Sequence, residues 1–488
     1  MAIASLNSLS SEITSMTATR LSAAIRSREI SCHEVMEAYL DRIEVVNPGY
    51  NAIVCLADRG FLLEQADAAD WALEQGDIWG WMHGMPHAVK DLADAKGFVT
   101  SFGQTFSSRT PAEKDSLHIE KIRNAGAIII GKTNVPEMGF GSQSYNRVYG
   151  VTGNAYDPAL TAGGSSGGAA CGLATQTLPV ADGSDMMGSL RNPGAFNNVI
   201  GFRPSIGRVP MDGIDLFYDQ LAVAGPMGRT VEDTIRLLEV MSAPDTRDPL
   251  SRRDALAPYR PGDAAKLSAY RVGWFGDFSG YLAMEPGVLD LCESALKIIE
   301  GHGCTVEECA PEFSMEQLWD CWVTLRHWII CSKAKALYDD PAKRAESKPE
   351  IIWEVEGGLD ITGQAVATAS ETRSEWYRCM NGLFEKYDFL LLPSAQVFPF
   401  SAETHWPAEV GGRSMDTYHR WMEVTIAGTL AGCPVVNVPV GFDERGRPMG
   451  MQVIGPMGED MKTLQFGLDY EAATDFLNRR PEMGYLEV

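Results

Sequence analysis

Short apolar runs that alternate with helical patterns are the feature that most constrains how this chain can fold. Helical patterns occur at Ser116–Asn124, at Val288–Glu300, and after a capping box that Ser31 and Glu34 form. Five segments indicate strands, because β-branched and other apolar residues run together in them without a helical period: Ala127–Ile130, Tyr270–Phe275, Thr305–Glu308, Phe389–Leu392 and Val435–Val440. Strands interleaved with helices predict an α/β fold around a mostly parallel or mixed sheet.

The composition excludes several classes of protein. Apolar residues make up 45% and charged residues 22% of the 488 residues, which is typical of globular proteins and not of disordered or fibrous ones. The net charge is −24, so nucleic acid and anionic membranes would repel the chain, and we expect neither as a partner. No segment approaches the ~20 consecutive apolar residues that a membrane span requires.

The ten cysteines are scattered along a long chain, whereas disulfide scaffolds are short and rich in cysteine. We therefore expect reduced thiols and, since no basic stretch followed by an apolar one opens the chain, a cytoplasmic protein. Cys304 and Cys309 lie five residues apart, but no second Cys or His pair at zinc-binding spacing accompanies them. No metal is expected there.

Residues 311–430 differ from the rest of the chain. This region is helical in pattern, and seven of the eleven tryptophans of the chain lie in it: Trp319, Trp322, Trp328, Trp353, Trp376, Trp406 and Trp421. No repeat, low-complexity linker or clear boundary divides the sequence, so we interpret residues 1–488 as one domain with a helical insertion at 311–430. The tryptophans indicate either an aromatic substrate pocket or helix packing, and both alternatives remain open.

Two short motifs suggest chemistry that their surroundings do not support. Gly126–Thr133 matches the phosphate-loop pattern, but its spacer favours a buried strand instead of an open loop. Gly163–Gly167 matches the nucleophile turn of α/β-hydrolases, which requires a preceding strand and a downstream acid and histidine. The segment before it is turn-like, and the downstream histidines have no distinctive setting: His302, His327, His405 and His419. A nucleotide site is not expected, and a Ser-His-Asp hydrolase is a minor alternative.

The glycine- and serine-rich part of the chain belongs to a longer series of blocks. In order and spacing these blocks strongly resemble the amidase signature family, serine hydrolases with a Ser-cisSer-Lys triad: Gly84–Asp91, Thr161–Ala170, Asp182–Phe196, Gly201–Pro210, Gly432–Gly441 and Met449–Gly455. The resemblance extends from about Thr17 to Gly455. It implies the amidase signature fold, a large mixed β-sheet flanked by helices, and hydrolysis of carbon–nitrogen bonds without metal or cofactor.

The resemblance also implies a role for each matching residue. Ser189 matches the nucleophile, Ser165, 24 residues before it, matches the serine that follows a cis peptide bond, and Lys90 matches the general base. The residues themselves support this chemistry, because a serine hydroxyl must lose its proton to a base and no histidine lies within the block. An unperturbed lysine has a pKa of about 10.4, so burial would have to lower that pKa. Ser165 would relay the proton.

The residues that lead into the nucleophile are expected to donate backbone N–H groups to the oxyanion: Met186, Met187, Gly188 and Ser189. The family usually has Gly-Gly before the nucleophile, and this chain has Met187 and Gly188. A left-handed backbone at position 187 would strain the methionine. Without a left-handed backbone at that position, the Met187 side chain lines the acyl pocket. We favour this second alternative. Asp185 and Arg191 either pair to hold this loop or form a solvated ion pair.

The substrate is less determined by the sequence than the reaction. We expect Phe140, Tyr145 and Gly164 to bind substrate, and no cluster of Arg or Lys indicates a site for a free carboxylate. We favour bulky aryl amides, with carbamates as a second class, because the chain is similar overall to urethanase-like bacterial members. The alternative is a glutaminase-type subunit of a tRNA-dependent amidotransferase. A monomer or homodimer that acts on a small molecule is expected.

Overall fold

The structure is a computed structural model that describes residues 8–213, 215–259 and 266–482. Its α-helices are α1 (Ser8–Ser15), α2 (Ala18–Arg26), α3 (Cys32–Tyr50), α4 (Arg59–Glu74), α5 (Leu117–Asn124), α6 (Gly167–Ala174), α7 (Arg191–Phe196), α8 (Val231–Met241), α9 (Val288–Gly301), α10 (Met315–Asp339), α11 (Pro341–Glu346), α12 (Pro349–Gly358), α13 (Gly363–Phe384), α14 (Ile426–Ala431) and α15 (Asp460–Ala473). Short 3₁₀ helices occur at Glu137–Gly139, Leu267–Ala269, Arg420–Thr425 and Phe476–Asn478.

The strands form one large sheet and three small ones. They are β1 (Ile53–Val54), β2 (Pro86–Lys90), β3 (Ile128–Thr133), β4 (Tyr145–Asn146), β5 (Gly150–Val151), β6 (Val180–Asp185), β7 (Ile200–Arg203), β8 (Val223–Gly228), β9 (Arg271–Trp274), β10 (Thr305–Glu308), β11 (Phe389–Pro393), β12 (Glu409–Val410), β13 (Arg413–Ser414), β14 (Val435–Phe442) and β15 (Pro448–Ile454). The large sheet has eight strands in the order β10-β9-β11-β15-β14-β7-β8-β6.

The large sheet is mixed. Strands β10, β9 and β11 run parallel, whereas every neighbouring pair from β11 across to β6 is antiparallel. Helix α7 packs on β7, β14 and β15, helix α8 packs on β8, and α9 and α15 pack on β14. This arrangement confirms the predicted α/β fold with a mixed sheet flanked by helices.

All five predicted strands are present, as β3, β9, β10, β11 and β14, with ends that differ by up to three residues. The predicted capping box also forms. The Ser31 hydroxyl accepts a hydrogen bond from the Glu34 N–H at 3.0 Å, and the Ser31 N–H donates to the Glu34 carboxylate at 2.8 Å. Two otherwise unpaired N–H groups at the start of α3 are satisfied in this way.

The three-stranded sheet β1-β3-β2 carries one of the predicted site residues. Strand β2 runs parallel to β3 and ends at Lys90, and β2 also packs against β6 of the large sheet. The segment that matches a phosphate loop is largely β3. Its Lys132 is completely buried and donates to the Ala93 carbonyl and, at 3.2 Å, to the Thr100 hydroxyl. The strand interpretation is therefore correct, and the Lys132 ammonium is bonded to groups of the protein itself.

The region 311–430 is mainly helical. Helix α10 packs against α12 and α13, and Trp322, Trp376 and Trp421 are completely buried in the hydrophobic core. Within the described residues, no helix is long and apolar enough to cross a membrane. No group of three or more His, Cys, Asp or Glu side chains in the same described ranges could hold a metal ion. All ten cysteines are free thiols.

Candidate active site

Three segments that are distant in sequence meet at one cavity. Lys90 ends β2, Ser165 lies in the turn before α6, and Ser189 lies between β6 and α7. Ser165 and Ser189 both line a cavity of about 210 Å³. The Ser166 N–H donates to the Ser189 carbonyl at 3.3 Å, which fixes the two serine segments side by side. The peptide bond between Gly164 and Ser165 is cis.

Lys90 is buried among hydroxyl groups. Its Nζ lies 2.8 Å from the Ser165 Oγ, 2.7 Å from the Ser166 Oγ and 3.0 Å from the Ser184 Oγ, and it donates to the Ser184 carbonyl at 3.2 Å. Of these four partners only the carbonyl must accept, because a hydroxyl can either donate or accept. The surroundings can therefore satisfy Lys90 both as an ammonium and as a neutral amine.

Burial lowers the pKa of Lys90 to about 7, although the nearby carboxylates of Asp182 and Asp185 favour its charged form. Desolvation is decisive because the ammonium, with 1% of the residue exposed, has lost its bulk water. A lysine with a pKa near 7 is neutral in a large fraction of molecules at neutral pH. It can then accept a proton as a general base.

A buried acid lies behind Lys90 and was not predicted. Asp182 accepts the Lys90 backbone N–H at 3.2 Å and the His87 Nε2–H at 3.0 Å, and its second oxygen lies 3.8 Å from the His118 Nε2. Burial alone would raise the pKa of Asp182, but the neighbouring His118 and His87 hold it well below its usual range. Asp182 and His87 stand inside the blocks that carry the resemblance, but only the fold places them together with His118.

The loop that carries Ser189 is held by a completely buried ion pair. Asp185 accepts the Gly188 N–H at 2.9 Å and the Leu190 N–H at 3.1 Å, together with two bonds from Arg191 at 2.9 and 2.8 Å. Burial alone would raise the pKa of Asp185, but Arg191 and Arg203 hold it well below its usual range. Of the two alternatives for Asp185 and Arg191, the pair that holds the loop is the one observed.

The four predicted oxyanion donors are not equivalent. The N–H of Gly188 already has an acceptor in Asp185, whereas those of Met186, Met187 and Ser189 have none among the described residues. The left-handed position of the loop is Gly188, at φ +85°, and Met187 is not among the residues with positive φ. The Met187 side chain is buried and lines the cavity. This geometry matches the unstrained alternative for Met187.

The residues expected to bind substrate are only partly at the cavity. Phe140 lines it, but Tyr145 and Gly164 do not. The Tyr145 ring packs under the Lys348 ammonium at 4.3 Å, and the Gly164 carbonyl accepts from the Ser142 hydroxyl at 2.6 Å. In the described part of the chain none of the seven tryptophans of region 311–430 lines the cavity. Trp319, Trp322, Trp376 and Trp421 are buried in the hydrophobic core, which favours the packing alternative for the tryptophans.

One face of α10 forms a wall of the cavity instead. Arg326, Ile330, Lys333 and Ala334 line it. Their spacing places them on one side of the helix, which is a signal that the sequence contains. The sequence shows no obvious cluster of Arg or Lys. The fold nevertheless brings two cations that are two helical turns apart, Arg326 and Lys333, to the same cavity.

The histidines expected for a Ser-His-Asp hydrolase lie elsewhere. His327 contacts Glu354, His405 lies 2.8 Å from Glu350, and His419 contacts the Thr417 hydroxyl at 2.9 Å. His302 follows the end of α9. The amine beside Ser165 is that of Lys90.

Comparison with known proteins agrees with this geometry. The amidase family model matches residues 34–464. An acylamidase of Rhodococcus erythropolis is 30% identical over 470 residues, which cover 96% of this chain and 97% of that protein. A glutamyl-tRNA(Gln) amidotransferase subunit of Symbiobacterium thermophilum is 31% identical over 492 residues, covering 96% of this chain and 99% of that protein.

A solved structure of a bacterial aryl acylamidase of the amidase signature family superposes with a TM-score of 0.87. It is 29% identical and covers 96% of this chain and 99% of that chain. The fold and the match over most of the sequence define the class. This chain belongs to the amidase signature family and is a hydrolase that acts on amides.

Proposed function

We propose that the protein cleaves the carbon–nitrogen bond of bulky aryl amides through an acyl-enzyme on Ser189. The observation that carries the proposal is the buried Lys90 Nζ, 2.8 Å from the Ser165 Oγ, beside the cavity that Ser165 and Ser189 share. A base with a lowered pKa, a hydroxyl relay and a partly exposed serine are the groups that serine-based acyl transfer requires.

The proposed reaction proceeds in two halves. Neutral Lys90 accepts the proton of Ser165, which takes the proton of Ser189 as the Ser189 Oγ bonds to the amide carbon. The carbonyl π electrons move to oxygen, and the free N–H groups of Met186, Met187 and Ser189 stabilise that charge, each by roughly 3–4 kcal/mol in comparable sites. The carbon–nitrogen bond then breaks, and the leaving nitrogen takes a proton from Lys90 through Ser165. Water repeats the sequence on the ester.

The size and lining of the cavity support an aryl substrate. A cavity of about 150 Å³ holds benzene, so about 210 Å³ leaves room for a substituted ring. Phe140, Ile330 and Met422 provide apolar walls. The similarity to an acylamidase and to an aryl acylamidase points in the same direction. We also propose carbamates as a second substrate class, because attack on their carbonyl uses the same groups.

The test is release of nitroaniline from an aryl amide and from the matching carbamate. Wild type is compared with Ser189→Ala and with Ser370→Ala, a control on an exposed position of α13. We expect wild type and the control to release nitroaniline from both substrates, and Ser189→Ala to release it from neither. Inertness of the carbamate alone removes the carbamate class, whereas activity in Ser189→Ala contradicts the acyl-enzyme.

A second candidate is a glutaminase-type subunit of a tRNA-dependent amidotransferase. It is favoured by the 31% identity to the Symbiobacterium thermophilum protein, over 99% of the length of that protein. A component of this kind would hydrolyse glutamine and pass ammonia to a partner. Steady hydrolysis of aryl amides by the purified chain alone argues against it, whereas activity that appears only with glutamine and a partner protein supports it.

A further inference from the structure

The wall of the cavity that α10 forms contains a buried cation, Arg326, which is 6% exposed. Its Nε–H donates to the Glu354 carboxylate, and its Nη2–H donates to the Tyr418 hydroxyl at 2.8 Å. The Tyr418 hydroxyl in turn donates to Glu354. These bonds fix the plane of the guanidinium, and its other nitrogen, Nη1, lies beside Met186, which lines the cavity.

The Nη1 of Arg326 has a poor partner. It lies 3.1 Å from the Met186 Sδ, and among the described residues no oxygen accepts its N–H groups. A thioether sulfur is a weak acceptor. Hydrogen bonds of a charged donor to oxygen are among the strongest that proteins form. A substrate oxygen that replaced the sulfur would therefore gain a strong bond in a buried place.

The charges around this donor are already balanced. Arg326 is paired with Glu354. Burial alone would raise the pKa of Glu354, but Arg326 lowers it to about 2, so the carboxylate is ionised. The second cation at the wall, Lys333, is paired with Asp219. The neighbouring His419 is neutral because burial lowers its pKa to about 3. An anionic substrate group would add a charge close to Glu354, whereas a neutral acceptor adds none.

We infer that Arg326 is a specificity-determining residue, whose Nη1–H binds a neutral oxygen acceptor on an aryl ring of the substrate. The guanidinium carbon lies over the Phe140 ring, 5.4 Å from its centre, so the donor stands beside an aromatic side chain that also lines the cavity. The chemical class that fits is an aryl amide with a carbonyl, ether or nitro group on the ring. This inference rests on the proposed function, since it concerns the substrate of the same cavity.

The test uses three ring substituents of similar shape: isopropyl, acetyl and carboxylate. Anilides are prepared with each group at the para position of the acyl ring and, in a second series, of the aniline ring. The readout is kcat/KM for the acetyl substrate divided by that for the isopropyl substrate. This ratio is measured in wild type and in each variant. The electronic effect of the acetyl group is the same in all of them and cancels when the ratios are compared.

The variant that removes the donor is Arg326→Met with Glu354→Gln, which avoids a buried unpaired carboxylate. Glu354→Gln alone is the matched control, because it keeps the guanidinium. In at least one of the two series we expect the ratio to decrease roughly tenfold in the double variant. In the control Glu354→Gln the ratio should stay at the wild-type value. Arg326→Lys keeps the charge beside Glu354 but lacks the planar fork. If the double variant does not fold, Arg326→Lys should show the same decrease in the ratio.

Equal ratios in wild type and in the folded variants, with anilides still hydrolysed, overturn the inference about Arg326. Preference of wild type for the carboxylate substrate also overturns it, because the site would then bind anions. Absence of hydrolysis of every anilide is a different result, which contradicts the proposed function itself.

Discussion

The loop that carries Ser189 and the helix face that lines the cavity wall are built in different ways. In the loop, Asp185 binds two backbone N–H groups and two arginines, all of them buried. On α10, Ile330 and Ala334 line the cavity with apolar side chains, and Lys333 reaches the solvent with 38% of its side chain exposed. The proposed chemistry therefore depends on a connected network, whereas the apolar side chains of the wall can change one at a time.

The largest contrast is expected between a change beside the serines and a change on the wall. Lys90→Met keeps the shape of the side chain and removes the base, so kcat/KM should fall by about 10²–10⁴-fold. Ile330→Val removes one methyl group from the wall and should change kcat/KM less than tenfold. Steady-state kinetics on one aryl amide measures both variants. Equal losses of kcat/KM would contradict the expected difference between the two regions.

The pH dependence of activity should follow Lys90. Because burial lowers the pKa of Lys90 to about 7, the protonated form, which cannot accept a proton, prevails below that pH. We expect kcat/KM to fall about tenfold per pH unit below about pH 7 and to level off above it. The residual activity of Lys90→Met should lack this step. A flat wild-type profile between roughly pH 5 and 9 would contradict the assignment.

Two glycines with similar φ angles extend the test to stability. Gly188, in the serine loop, has φ +85°, and a Cβ there would lie 2.7 Å from the Thr425 Cγ2. Gly412, in the region 311–430, has φ +81° and no atom within 4 Å of that position. Gly412→Ala should lower the free energy of unfolding by about 1 kcal/mol. Gly188→Ala adds overpacking, so a loss of about 2–4 kcal/mol is expected.

Denaturant unfolding measures both glycine variants, and kcat/KM should fall only in Gly188→Ala. Equal destabilisation of the two would show that the loop around Ser189 yields as easily as an exposed turn.

The smallest effect on activity is expected from the tryptophans. Trp376 is completely buried, and its Nε1–H donates to the Ala427 carbonyl at 2.9 Å, away from the cavity. Trp376→Phe should lower the free energy of unfolding by about 1–3 kcal/mol through lost packing and a lost hydrogen bond. Values of kcat and KM measured well below the unfolding temperature should change less than twofold. A larger change in KM would favour the pocket alternative for the tryptophans.

The sequence predicted the elements whose signal is local. The strands β9, β10 and β11 follow from short apolar runs, and the blocks that carry Lys90, Ser165 and Ser189 were identified by their resemblance to the amidase signature family. The cluster of Asp182, His87 and His118 could not be predicted, because its members come from three different elements and no local pattern joins them. The α10 face was readable as a helical spacing, but only the fold shows which face the cavity meets.

The loop that carries Ser189 shows the same limit at a single residue. The sequence offered four consecutive N–H groups from Met186 to Ser189 as equal donors. The choice among them depends on the side chain of Asp185, which turns back and accepts the N–H of Gly188. A side chain that folds onto its own loop leaves no periodic signal in the sequence.

The most direct test of the central claim is to locate the acyl group on the enzyme. Wild type and Ser189→Ala are mixed with an activated aryl carbamate and quenched in acid, and the peptides are analysed by mass spectrometry. A carbamoyl group is expected to leave the enzyme slowly enough to be trapped. The account predicts one added acyl group on the peptide that contains Ser189 in wild type and none in Ser189→Ala. An acyl group on Ser165 or Ser184 in wild type, or undiminished turnover of an aryl amide by Ser189→Ala, would contradict it.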